Sequence, residues 1–218
     1  MFLGHAAVAF GAKKYAPQVS LGFLFLACQL ADIIWPNLLL LGVEKVTIEP
    51  GNTVLTPLNF LHYPFSHSLV ATLLWAALLA VIYRVVRGAG TKSMIVIAVV
   101  VLSHWVLDAV THRPDMPVTL SGPTRLGAGL WNIPIVAIVL ELSLFSLGVW
   151  MYQRNTRANN RQGSYGFWAL VIFLLSVYAA NLFGPPPPSV AAIAWSGQAL
   201  WLLVIWGFWV DRNRVPIT

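Results

Sequence analysis

SMIVIAVVVLSHWVLDAVTHRPD, residues 93–115, opens with an unbroken apolar run from Met94 to Leu102 and then sets His104, Asp108 and His112 at four-residue steps, with Asp115 just beyond. A run from 93 to 111 approaches the ~20 residues that cross a bilayer as a helix. Positions four apart are rotated by only about 40° and raised by about 6 Å, so His104 and Asp108 share one face of that helix. An ionisable group there costs about 2.5–3.5 kcal/mol on insertion scales, so such groups pair with one another or line a functional cavity. Pro114 turns Arg113 away from helical geometry, which puts His112 at the helix end and makes Asp115 a loop acid at its mouth.

The rest of the chain fits this membrane reading. Of its 218 residues 58% are hydrophobic and 9% charged, well above the roughly 45–50% apolar share of soluble domains. Besides residues 93–111, apolar runs occupy about 18–43, 66–84, 131–152, 165–183 and 189–210. The stretch MFLGHAAVAFGAKK carries its lysines after its apolar residues, the reverse of a signal peptide, and is short for a full crossing. The expected fold is an all-α, polytopic membrane helical bundle of about six spans, with a short N-terminal partial or re-entrant helix and five to six full crossings. It forms a single domain, 1–218, in which 1–117 carry the polar motifs and 131–218 add further helices. Residues 44–65, containing EPGNTVLTP, are long enough to fold back as a lid, and GPPPP at 184–188 makes a stiff polyproline turn.

The formal charge of +6 is explained by loop placement and does not call for nucleic acid. If the first long span starts on the cytoplasmic side, ten of the thirteen Lys and Arg lie inside and only Lys45, Arg113 and Arg125 outside, which puts the C-terminus in the cytoplasm. One cysteine, Cys28, excludes an internal disulfide and a cysteine-based zinc site. No feature of the sequence sets an oligomeric state.

Under this topology the polar residues gather at one depth. Asp32 falls in the outer half of the first long span, His67 opens the second, and His104 and Asp108 lie in the outer half of the third. Imidazole nitrogen with carboxylate oxygen suits zinc, and less well manganese or iron. His104 and Asp108 lead this candidate ligand set, joined by His5, Asp32, His67 and His112. Asp32 or Asp115 is the candidate to take a proton from water. His62 is read as supporting a ligand histidine. Glu141 is an additional ligand, a partner that orients a histidine, or a protonated structural donor, the second being favoured. Ser66 is expected to cap the second span, leaving His67 in its first turn. Asn181 and Gln198 suit interhelical hydrogen bonds, and Trp35, Tyr63, Trp131, Tyr152 and Tyr165 suit interfacial belts.

GHAAVAFGAKK (4–14), LADIIWP (30–36), YPFSHSL (63–69) and SHWVLDAVTHRPDMP (103–117) together resemble a bacterial inner-membrane family known as predicted membrane-bound metal-dependent hydrolases. That family is distantly similar to zinc-dependent phospholipase C. The resemblance implies that His5, Asp32, His67, His104 and Asp108 are metal ligands, with Asp108 bridging two ions. The sequence departs from the pattern in having Asp32 followed by Ile-Ile-Trp-Pro, where many members carry a second acid, and in lacking a later HxxxE pair.

Two functions suit this set of groups. One is metal-assisted hydrolysis of a lipid or lipid-linked phosphoester at the outer face, with membrane lipids as neighbours and a divalent metal, Zn2+ before Mn2+ or Fe2+, as cofactor. The other is a transporter or permease in which the same His and Asp groups carry protons or a cation.

Overall fold

Each long apolar run is helical in the computed structural model, which describes residues 1–217. Helix α1 (Phe2–Ala12) is followed by α2 (Leu21–Cys28) and α3 (Leu30–Leu40), and strands β1 (Lys45–Ile48) and β2 (Leu58–His62) form an antiparallel hairpin. A short α4 (Pro64–His67) leads into the long helices α5 (Leu69–Arg87) and α6 (Thr91–Thr111). Strands β3 (Met116–Pro117) and β4 (Arg125–Leu126) pair before α7 (Pro134–Asn155). The chain continues through β5 (Thr156–Ala158), α8 (Arg161–Phe183), α9 (Val190–Gly197) and α10 (Leu200–Arg212), and ends in β6 (Arg214–Pro216), which pairs with β5. Helices α5, α6, α7, α8 and the α9–α10 segment are each long and apolar enough to cross a membrane, and α2 with α3 makes a sixth crossing if the bent pair counts as one.

Several boundaries differ from expectation for identifiable reasons. The run 18–43 is not one straight span: it bends by 54° at Gln29, whose backbone leaves helical geometry. The second span starts at Leu69 rather than 66, because Ser68, not Ser66, accepts the Ala71 N–H and caps it. His67 therefore ends α4 and does not sit in the first turn of α5. The helical bundle also carries three small two-stranded ribbons. Trp35, Tyr63 and Tyr152 are buried in the protein, whereas Tyr165 is exposed.

The 11-residue α1 is the centre of the bundle. Leu3, Ala6, Ala9 and Phe10 are fully buried, and the Phe10 ring meets those of Phe25, Phe145, Tyr152 and Phe167. Too short to cross alone, the helix is enclosed by α2, α6 and α7. Backbones approach closely at two small-residue contacts: a Cβ on Gly148 would lie 2.5 Å from the Ala7 carbonyl oxygen, and one on Gly207 2.9 Å from the Gly22 Cα. Small residues are what allow such contact between membrane helices, where burial of apolar surface gives little drive.

At the end away from the hairpin, Lys13 donates to Asp211 at 2.7 Å and to the Val19 carbonyl at 2.9 Å, and Tyr152 also donates to Asp211. This joins the N-terminal helix to the last one. Replacing Gly148 with Leu should force α1 off α7 and lower the melting temperature in detergent by several degrees. The control Leu147→Ala, on an exposed side chain of the same helix, should leave it nearly unchanged.

Candidate metal centre

His5 from α1, Asp32 from α3, His67 from α4, and His104 and Asp108 from α6 converge at the hairpin end of the bundle. Their ligand atoms form two groups, His5–His104–Asp108 and Asp32–His67–His104, and within each group all lie within 4.8 Å of one another. His104 belongs to both. Asp108 faces in two directions: Oδ1 is 3.1 Å from His5 Nε2, and Oδ2 is 3.1 Å from His104 Nε2 and 4.0 Å from His67 Nε2. Asp32 Oδ1 lies 3.4 Å from His67 Nε2 and 3.8 Å from His104 Nε2. Separations of this size suit ligands placed about 2.0–2.2 Å from a shared ion.

Local structure sets which nitrogen of each histidine faces inward. The break at Gln29 makes Cys28 the last residue of α2, so its carbonyl is among those left over at a helix end. It accepts the Nδ1–H of His104 at 2.7 Å, which leaves the His104 Nε2 lone pair aimed into the cluster. That buried Nε2 has no hydrogen-bond partner, and neither has the buried Nδ1 of His5.

His67 is held by a longer chain. The Ser66 hydroxyl donates to Glu44 Oε2 at 2.5 Å and accepts the His67 Nδ1–H at 2.7 Å. Glu44, buried though charged, also accepts the Phe65 and Ser66 backbone N–H groups at 2.8 and 2.9 Å. His67 Nε2 is therefore the nitrogen turned toward Asp32. Histidine rings held from behind with one nitrogen turned inward, together with a mixed imidazole–carboxylate donor set, fit a divalent transition ion.

The His5 and His104 rings stack at 3.8 Å, 7° from parallel. The amino group of Met1 donates to Asp108 Oδ1 at 2.5 Å. Four of the five side chains are closed off, whereas that of Asp32 is 35% exposed. Asp32 opens, with His67 and Asp108, onto a cavity of about 450 Å³ whose wall includes His112, Phe60 and Trp131.

The remaining predicted residues lie elsewhere. His112 follows α6 as its C-cap, as Pro114 requires, and borders the cavity without joining either ligand group. Its Nδ1–H donates to Asp115 Oδ1 at 2.9 Å, and its ring packs on Trp131 and Phe60. Asp115 accepts further bonds from Tyr63 at 3.0 Å and Arg113 at 3.1 Å, and Arg113 reaches Asn52 and Asn59, fastening the hairpin to the end of α6. Burial would push the Asp115 carboxyl up, but the bond to His112 and its charge, with the Tyr63 and Arg113 bonds, outweigh it and hold it below the usual carboxylate range. Asp115 thus helps to fasten the hairpin to the end of α6, and lies outside both ligand groups.

Glu141 touches no histidine in the cluster. It accepts the Leu3 N–H at 2.7 Å, and a carboxylate at the start of α1 complements the free N–H groups there. His62 is exposed on β2, opposite Lys45 and against the Phe65 ring. Sequence reading missed Glu44, the Ser66 relay and the Cys28 carbonyl. Glu44, at the edge of an apolar run, has the sequence signature of an ordinary loop acid, and a backbone carbonyl has none.

Fold and site define a multi-pass membrane protein built around a buried histidine–aspartate cluster. A family model described as YdjM inner membrane protein matches residues 1–186, and the chain belongs to that family. This supports a bacterial inner-membrane protein; it shows no similarity to a hydrolase or to phospholipase C. No curated protein and no solved structure matches the chain.

If the cluster holds a metal, removing the support behind His67 should loosen it while sparing the fold. Glu44→Gln and Ser66→Ala are expected to weaken zinc binding by about 10–100-fold, the range for partners that orient ligands. Competition with a chelating dye measures this, and His62→Ala should match the parent protein.

Proposed function

We propose that the protein is a metal-dependent hydrolase of a lipid or lipid-linked phosphoester, working at the outer face of the inner membrane. The observation that carries this reading is the pair of three-residue donor groups sharing His104, with one side, at Asp32, open to a cavity. A divalent cation held by His5, Asp32, His67, His104 and Asp108, zinc before manganese or iron, would polarise a phosphoryl oxygen and lower the pKa of water toward 7.

The chain's own groups supply the rest. The carboxylate of Asp32, the exposed member of the set, is placed to accept a proton from an attacking water. Asp108 and His104 are fixed from behind and keep their geometry as charge develops. Phe60, Trp131 and the hairpin cover the cavity and limit access of bulk water. The C-terminus lies in the cytoplasm in this reading, since the Lys and Arg residues concentrate at the end opposite the cluster.

Transport would require these groups to open to both ends in turn. The other end is filled by the rings around Phe10 and tied by Lys13 and Asp211, which favours the enzyme.

Protein purified in detergent without chelator should contain zinc in stoichiometric amount and release phosphate or headgroup from a phospholipid mixture. His104→Ala and Asp108→Ala should lose both the metal and, by at least about 100-fold, the activity. Parent protein that holds no transition metal would overturn the proposal. For orientation, alkaline phosphatase fused after residue 218 should be inactive and a green fluorescent protein fusion bright. The reverse pattern would place the cluster on the cytoplasmic side.

A further inference from the structure

The cavity over the cluster extends away from Asp32 and His67 between α3, α8 and the α9–α10 junction, and changes character as it does so. At one end are Asp32, His67 and Asp108; the far wall is Phe173 and Val177 of α8 with Ala199 of the junction and Leu202 in the first turn of α10. Phe173 is 45% and Leu202 64% exposed, although both line the cavity. They belong to membrane-spanning helices, so the medium that reaches them is bilayer hydrocarbon. The cavity therefore opens sideways, into lipid.

The surrounding contacts explain why the seam opens at this level. Towards the other end of the bundle α8 and α10 are closed together: Trp206 donates to the Gly166 carbonyl at 3.1 Å, its ring lies 5.6 Å from Phe173, and Gly166 leaves room for Trp209. Nearer the cluster α9 passes into α10 through a tight turn at Gln198 and Ala199, and α9 rests on α3, where Gly197 meets Pro36 and Gln198 donates to Asn37 at 3.3 Å. At this level α9 thus packs on α3. Asn181, expected to join helices, instead lines the cavity.

We infer that the seam between α8 and the α9–α10 junction seats an acyl chain of a membrane lipid, with the lipid's phosphate-bearing head at Asp32 and His67. The occupant follows from the polarity of the walls: hydrocarbon at one end, a cation-binding carboxylate–imidazole group at the other, and a volume within the roughly 300–1,000 Å³ of small-molecule sites. An amphiphile matches both ends at once. The position of its head rests on the proposed reading of the cluster; the path of its chain rests on the seam alone. The last two spans thereby gain a role, as the walls of a substrate channel.

The test is photolabelling of the full-length protein in phosphatidylethanolamine vesicles doped with a phosphatidylethanolamine carrying a diazirine in one acyl chain. Peptide mapping should place the label on residues 173–181 and 193–203. Ala199→Trp, at the exposed mouth, and Val177→Trp, within it, should each reduce labelling there by about tenfold, the order that a blocked apolar pocket reaches. Both should retain zinc, which shows that fold and cluster survive. Label spread evenly over all lipid-facing helices, or unchanged in both zinc-retaining variants, would overturn the seam and leave the hydrolase reading standing. Seam labelling in a protein without zinc or phosphate release would support the seam and defeat the hydrolase.

Discussion

A carboxylate inside a membrane bundle has no water to hold its charge, and Asp108 meets that constraint by collecting partners from other parts of the fold. His104 comes from the preceding turn of its own helix, His5 and the Met1 amino group from α1, and His67 from α4. Each partner in turn fixes an element. α1, which is too short to cross a bilayer by itself, is drawn into the centre of the bundle, and α4 is held at the top of α5. The polar cluster thus helps to set the architecture as well as the chemistry. Removing one member would therefore cost more than its own contacts, since a charge left without partners in a low-dielectric interior is strongly destabilising.

The break at Gln29 works in the same way. A continuous helix over 21–40 would use its carbonyls internally, whereas the bend frees that of Cys28 for His104. It also starts a second helix whose first turn contains Asp32, where a negative charge is favoured. A bent span therefore both supplies one ligand and orients another.

How far the sequence revealed all this depended on the kind of signal. Long apolar runs were readable because hydrocarbon thickness imposes a length, and the five residues that converge were readable because ionisable side chains are rare in such runs. The bend was not, since Gln29 sits in an apolar stretch without glycine or proline beside it and its geometry is a tertiary effect. Ser66 and His67 stood next to a span and looked like its cap, but Ser68 fits the cap and frees Ser66 for Glu44. Glu141 was recognised as an unusual intramembrane acid, yet its partner is a backbone N–H of α1, which no side-chain pattern announces. The five residues of the cluster all lie in the first half of the chain; the cavity beside them takes its far wall from the second half, where the sequence offered hydrophobicity and two amides, Asn181 and Gln198.

That division between ligands and walls bears on how the protein is made. Chains emerge from the ribosome N-terminus first. His5 through Asp108 are therefore synthesised before α10, yet α2 needs Gly207 to pack against and Lys13 needs Asp211 as its counter-ion. During synthesis Lys13 would wait for its counter-ion, and α2 for its neighbour, until the last helix arrives. Final assembly would then be a locking step, in which the bundle closes as its two ends in sequence meet.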